Sequence, residues 1–85
     1  MSEVKVPSVG RVVHYKVSPS DPPELRSNYA EVLPAIIVIV WSDNNVNLKV
    51  FTDGPTDVWK TSVLLGDEPG QWSWPPYVPP AKTEE

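Results

Sequence analysis

The chain has 85 residues, carries a formal net charge of −4, and contains no cysteine and one histidine. This composition excludes disulfide bridges, a thiol nucleophile and a zinc site of the usual Cys/His kind, and an acidic surface that repels phosphates argues against DNA binding. Because a domain of this size buries only about 60 to 65% of the surface that its unfolded chain exposes, its stability alone is marginal, and we expect a homo-oligomer.

The first predicted strand covers residues 11–17 (RVVHYKV), where apolar and polar side chains alternate. Alternation of this kind is typical of a half-buried strand. Residues 18–34 follow, with four of the chain's prolines and mixed charge. They predict a long loop, with one helical turn near residues 25–29, and a loop of this length in a small domain usually has a use.

The second predicted strand covers residues 35–41 (AIIVIVW), which are mostly β-branched and are apolar on both faces. This pattern is typical of a strand that is covered on both sides, so we place it at the centre of the sheet. It is also the longest apolar run, and it is far shorter than the ~20 residues that a bilayer requires. Residues 1–9 lack a signal-peptide core, so we expect no membrane association.

Three more strands follow after tight turns. Residues 46–52 (VNLKVFT) alternate, which predicts that Asn47 and Lys49 point outward on the third strand. Residues 58–65 (VWKTSVLL) form the fourth predicted strand, and residues 71–74 (QWSW) form the fifth. The intervening SDNN, DGPTD and GDEPG segments are rich in the residues that turns favour.

Five short strands with one long loop after the first predict an all-β fold, either a small five-stranded SH3-like barrel or a meander. We divide the chain into an N-terminal arm (residues 1–9), a β-barrel domain (residues 10–76) and a flexible, Pro-rich acidic tail (residues 77–85).

The sequence offers little for catalysis. It contains no GxSxG nucleophile turn and no glycine-rich phosphate loop, and its histidine, His14, lies in the middle of a predicted strand. Paired acids such as Asp53 and Asp57 flank a turn, where acids usually serve to solvate the chain. We therefore expect a protein that is not an enzyme and that needs no metal or cofactor.

Recognition is the stronger prediction. Trp72 and Trp74 lie two residues apart in an extended segment, so both should point to the same side and form an aromatic platform. This platform either closes the barrel, packs on a neighbouring subunit, or stacks on a base or a proline. Polar groups on the other strands supply further ligand contacts. The full set of candidates is Arg11, His14, Trp41, Asn47, Lys49, Lys60, Thr61, Ser62, Trp72 and Trp74.

Each polar candidate also has a structural interpretation. Asn47 would make a cross-strand hydrogen bond, His14 would be a partly exposed strand residue, and both Lys49 and Lys60 would be solvated. If the cations instead share one cleft, they would attract an anion.

Five segments, GRVVHYKV, PAIIV, VNLKVFTDG, WKTSV and PGQWSWPP, resemble a group of small proteins that are frequent in tailed-bacteriophage genomes. The resemblance runs from Gly10 to Pro76, and its most specific motifs are VNLxVFxDG and GxWxWP. It implies a viral origin and expression in the host bacterial cytoplasm. The family pattern has a histidine between its two tryptophans, where this chain has Ser73, so a second imidazole is missing.

Three functions fit these expectations. The first is a non-enzymatic counter-defence protein that sequesters a small, anionic, nucleotide-derived host signal in pockets between subunits. The second is an interaction module that docks on a host or phage protein through its aromatic face or lends its Pro-rich tail as a ligand. The third is a virion or scaffold component. A concave site lined by aromatics and cations would favour the first, and a flat apolar patch would favour the second.

Overall fold

The computed structural model describes residues 5–76, without the side chains of residues 27–29. The predicted tail and the first residues of the predicted arm lie outside this range. The fold is all-β, as predicted. Its elements are β1 (Val12–Lys16), a 3₁₀ helix (Pro23–Tyr29), β2 (Val32–Val40), β3 (Asn45–Phe51), β4 (Asp57–Leu64) and β5 (Trp72–Ser73).

All five strands form one antiparallel sheet in the order β4-β3-β2-β1-β5. The sheet curls into a half-barrel, so that its two outermost strands approach each other. An isolated bridge joins Leu65 to Trp72, and the Gly66 amide donates to the Trp72 carbonyl at 2.9 Å. This architecture is consistent with a small SH3-like barrel.

Two β-bulges meet at Asn47, in the middle of β3. On the β2 side the register shifts between Ile37 and Ile39, and on the β4 side it shifts so that two residues, Thr61 and Ser62, lie opposite Asn47. Ser62 has a φ of 55°, in the left-handed region that a bulge residue can adopt. Bulges bend and twist a strand pair, so this double irregularity is where the sheet curls.

The concave side of the sheet holds the core, and Trp72 is its largest fully buried side chain. The alternation predicted for β1 and for most of β3 is confirmed, because Val13, Tyr15 and Leu48 all point inward. The buried apolar residues are Val13, Tyr15, Leu25, Leu33, Ala35, Ile37, Val46, Leu48, Val50, Val63 and Trp72.

The long loop between β1 and β2 packs against the core. Leu25, on the 3₁₀ helix that occupies the predicted helical turn, is fully buried, and Asp21 is only 5% exposed. The Val17 amide donates to the Glu31 carbonyl at 2.9 Å, which joins the two ends of the loop. The loop is therefore part of the folded core.

Strand β2 begins earlier than predicted, at Val32, and so includes Pro34. Over this extension β2 pairs with β1, with Pro34 opposite His14, whereas its pairing with β3 begins only at Ala35. A proline is tolerated there because one side of the strand makes no ladder hydrogen bonds that need its missing N–H.

Candidate functional site

The convex side of the sheet carries a continuous row of side chains across four strands. Val12 pairs with Ile36, Ile36 pairs with Lys49, and Lys49 pairs with Trp59. Paired residues of an antiparallel sheet project to the same face, and the neighbours of these residues along each strand point into the core. The row therefore faces away from the barrel interior.

Other side chains extend this row. Ile39 pairs with Asn47 on the same side, and Phe51 pairs with Asp57. Trp41 follows β2, and its indole N–H donates to Asn47 at 2.9 Å, which holds the ring on this side. We call this surface the outer face and define it as Val12, Ile36, Ile39, Trp41, Lys49, Phe51, Asp57 and Trp59.

The outer face is predominantly apolar and exposed. The exposed fractions are 54% for Val12, 61% for Trp41 and 57% for Trp59, and those of Ile39 and Phe51 are above 40%. Together these five side chains present roughly 500 Å² of apolar surface, which is near the upper end of the largest patch on a typical monomer. The largest apolar patch on a monomer is often a functional surface.

The outer face conflicts with the sequence of β2. Residues 35–41 predict a strand that is covered on both sides, and the core covers one side through Ala35 and Ile37. On the other side, Ile39 is exposed and Ile36 and Val38 are only partly buried. The prediction of two-sided burial is therefore wrong for the single chain.

One ion pair lies among these apolar side chains. Lys49 donates to Asp57 at 3.1 Å, and both side chains are about half exposed, at 48% and 45%. An exposed pair of this kind contributes little to stability, but it neutralises the charge of the outer face. Lys49, predicted to meet an anion, is instead paired within the chain.

The free edge of β4 is a poor docking site by comparison. Its Lys60 points inward, because it pairs with the buried Leu48, and the bulge at Ser62 twists the strand. Inward charges and bulges are the devices by which proteins block strand addition at an edge. The face of the sheet is therefore a better docking surface than its β4 edge.

Asn47 is not a free ligand contact. Its side chain lies on the outer side, as predicted, but the residue is only 5% exposed. Its Oδ1 accepts hydrogen bonds from Trp41 Nε1 at 2.9 Å, Thr61 Oγ1 at 3.0 Å and the Ser62 amide at 2.8 Å. The cross-strand hydrogen bond is therefore the correct alternative for Asn47. Its carboxamide oxygen links Trp41, which follows β2, to Thr61 and Ser62 in the bulge of β4.

Trp72 is also wrongly placed among the ligand contacts. It is fully buried, and its indole N–H donates to the Asn44 carbonyl at 3.2 Å. Its ring contacts that of Trp74 edge to face, with centroids 5.3 Å apart. The tryptophan pair therefore closes the barrel, which was one of the three alternatives, and Trp72 offers no surface to a base.

Trp74 is partly buried and has two cations beside it. Lys5 Nζ and the Arg11 guanidinium carbon each lie 5.5 Å from the centre of its ring. Such contacts contribute ~0.5 to 1 kcal/mol each at exposed sites. Arg11 and Trp74 were predicted as ligand contacts, whereas Lys5 was missed because nothing in the sequence places the N-terminal arm beside the last strand.

Lys60 belongs to a buried network inside the barrel. Its Nζ donates to Asp21 at 2.9 Å, the Tyr15 hydroxyl donates to Asp21 at 2.9 Å, and the Ser18 amide donates to Asp21 at 2.8 Å. Lys60 therefore does not meet a ligand on the outer face. His14 is partly buried opposite Pro34 and Ser73, on the same side of β1 as Val12, and so lies beside the outer face.

The network perturbs two pKa values. Burial alone raises the pKa of Asp21, but the hydrogen bonds from Lys60, Ser18 and Tyr15, together with the Lys60 charge, outweigh it and hold that pKa below its ordinary value. Burial, the hydrogen bond to Asp21 and the negative charge of Asp21 all raise the pKa of the Tyr15 phenol. Asp21 is therefore a buried carboxylate that keeps its charge.

The described residues also form a surface cavity away from the outer face. A surface cavity of about 410 Å³ is lined by Lys16, Val17, Ser18, Pro19, Arg26, Ala30 and Glu31, none of which was a candidate. Within residues 5–76, no three His, Cys, Asp or Glu side chains come together as a metal site. Nor does this part of the chain include a helix long and apolar enough to cross a membrane.

The candidates thus divide among separate places. Trp41, Asn47, Thr61 and Ser62 share one cluster. Lys49 lies on the outer face and His14 lies beside it, whereas Lys60, Trp72, and Arg11 with Trp74 lie elsewhere. Sequence reasoning missed Val12, Ile36, Ile39, Phe51 and Trp59 as a site. The signal for Ile36 and Ile39 was present in the two-sided apolar pattern of β2.

No family model matches the chain, and no curated protein or solved structure matches it either. What the protein does must therefore come from the positions and contacts of its own residues.

Proposed function

We propose that the protein is a non-enzymatic docking module whose binding surface is the outer face. The observation that carries this proposal is the row of mostly apolar, mostly exposed side chains that runs from Val12 to Trp59 across four strands. The outer face lies on a sheet and forms no pocket. Its two charged residues, Lys49 and Asp57, neutralise each other, and the side-chain oxygen of the neighbouring Asn47 already accepts hydrogen bonds within the chain. These features favour a protein surface as the ligand, because an apolar patch without a pocket has nothing to orient a small polar molecule.

The energetics agree with this choice. Covering roughly 500 Å² of apolar surface contributes roughly 12 kcal/mol at about 25 cal/mol per Å², before the cost of association is subtracted. Trp41 and Trp59 are also of the residue type most enriched among the side chains that dominate binding energies. We therefore expect Trp59, which ends the cross-strand row, to be an energetic centre of the interface.

The Trp59→Glu substitution tests the proposal. In dilute protein, we expect the wild-type chain to bind a hydrophobic fluorescent dye and the variant to bind several-fold less, because a carboxylate would interrupt the apolar row. Val9→Glu is the matched control, since Val9 is 65% exposed but lies outside the sheet. Equal dye binding by wild type and Trp59→Glu, or no binding by wild type, would contradict the proposal.

Sequestration of a nucleotide-derived anion is a second candidate, and one cluster favours it. Lys5 and Arg11 flank Trp74, and neither cation forms a salt bridge within residues 5–76. Two cations beside an indole could bind a phosphate group in an otherwise acidic protein. Neither a viral origin nor a location in the host cytoplasm contributes to this argument, and both stay predictions, as does a virion or scaffold role.

A thermal-shift panel of cyclic dinucleotides and mononucleotides tests this second candidate. A ligand at 100 times its dissociation constant adds ~2.7 kcal/mol of stability, which corresponds to a shift of several degrees for a small domain. The shift should disappear in Arg11→Gln and persist in Lys16→Gln, whose side chain bonds the Asp67 carbonyl instead. No shift with any nucleotide would rule the candidate out.

A further inference from the structure

We infer that the partner on the outer face is a second copy of this chain, packed face to face about a two-fold axis. This inference rests on the docking function proposed above and adds the identity of the occupant. Two curled sheets would then lie back to back, with the outer faces forming a second apolar layer between them. Sheets that pack in this way lie about 10 Å apart, with their side chains interdigitated.

The first argument is the two-sided pattern of β2. Its inner residues are buried by the chain's own core, and its outer residues, including Ile36 and Ile39, need a second layer. A second copy is available to cover the outer side of β2 wherever the protein is made. A different partner protein would leave that side exposed until the complex formed. A small domain with marginal stability also gains most from a layer that is always available.

The second argument is charge. An interface between identical copies must be complementary to itself, because the same patch meets itself across the axis. Each chain has a net charge of −4, so two copies repel each other over most of their surface. On the outer face, however, Lys49 neutralises Asp57, and the axis can place each lysine near the carboxylate of the other copy. The face carries its own opposite charges and needs no differently charged partner.

The third argument is area. A specific interface buries about 800 Å² on each partner. The apolar part of the outer face supplies roughly 500 Å² of this, and polar side chains at its margin, including Asp57 and Thr61, extend it. An apolar centre with a polar rim is the usual composition of such an interface. Because the β4 edge is blocked by Lys60 and the bulge, the copies would meet through faces rather than by extending the sheet.

The test measures the mass of the full chain by light scattering over a dilution series, in parallel with hydrophobic dye binding. We expect wild type to reach twice the 9.5 kDa chain mass when concentrated and to dissociate on dilution, with dye binding increasing as it does so. Trp59→Glu should remain at the single-chain mass at every concentration, and Val9→Glu should behave as wild type. Val12→Glu, at the opposite end of the row, is a second disrupting variant if Trp59→Glu loses the circular dichroism of the folded chain.

The contrary outcomes separate this inference from the docking function. If the wild-type chain stays monomeric but binds dye, the partner is not a second copy, and docking on another protein remains as the proposed function. A monomer that binds no dye would overturn both. A dimer that survives both Trp59→Glu and Val12→Glu uses another surface, and it would also overturn the inference.

Discussion

Trp72→Ala is expected to cost about 3 to 5 kcal/mol of folding free energy and to lower the urea midpoint of unfolding strongly. Trp72 has no exposed surface and is the largest fully buried side chain of the core, so its loss would leave a large cavity. It would also leave the Asn44 carbonyl without its indole donor. A domain of this size has a total stability of only about 5 to 10 kcal/mol, so the change removes a large part of it.

Trp59→Ala is the matched control, because it makes the same chemical change at a site that is 57% exposed. Urea unfolding in dilute protein, where the outer face is uncovered, should show Trp59→Ala within about 0.5 kcal/mol of wild type. If Trp72→Ala proved as stable as Trp59→Ala, Trp72 would not be the centre of the core.

Asp21→Ala is expected to cost about 3 kcal/mol, because it removes the carboxylate that joins the loop to the sheet. The substitution would leave Lys60 without its ion pair and both the Tyr15 hydroxyl and the Ser18 amide without their acceptor. Asp21→Asn, which keeps the shape and one acceptor oxygen, should cost less. Asp21→Asn loses the charge but keeps an acceptor, and Asp21→Ala loses both. The difference between their free energies of unfolding, measured by urea titration, therefore reports the contribution of the hydrogen bonds.

The same carboxylate makes stability depend on pH in a predictable direction. The folded-state pKa of Asp21 lies below its ordinary value of about 3.9, so its contribution is present above that pH and is lost as the pH falls through the folded-state pKa. The stability difference between wild type and Asp21→Asn should therefore be constant near pH 7 and shrink below about pH 4. A difference that stays constant to pH 2 would show that Asp21 carries no depressed pKa.

Much of the fold could be predicted because it depends on local patterns. Alternation over residues 11–17 gave β1, and the proline-rich segment gave the loop with its helical turn, since period and turn chemistry are local properties. The burial of Asn47 could not be predicted in this way. It results from two bulges that shift the register on both sides of β3, and a bulge in one strand is defined only by its pairing with another.

The site was predicted less well for a related reason. The spacing of Trp72 and Trp74 indicates that they share a side, but it does not say whether that side is the interior or the surface. Here it is the interior, because the barrel accommodates Trp72 whole. The ion pair of Lys60 could not be predicted, because its partner, Asp21, is far away in the sequence and lies in a loop without periodicity. Such long-range pairs leave no trace in a single sequence.

The most direct test follows the four tryptophans by fluorine NMR of the wild-type chain labelled with 5-fluorotryptophan, with a soluble paramagnetic probe added. In dilute protein, the probe should strongly broaden the signals of Trp41 and Trp59 and leave that of Trp72 sharp, and concentration should protect Trp59. If Trp72 is broadened as strongly as Trp59, or if Trp59 is protected in the dilute monomer, the outer face is not the exposed binding surface of this protein.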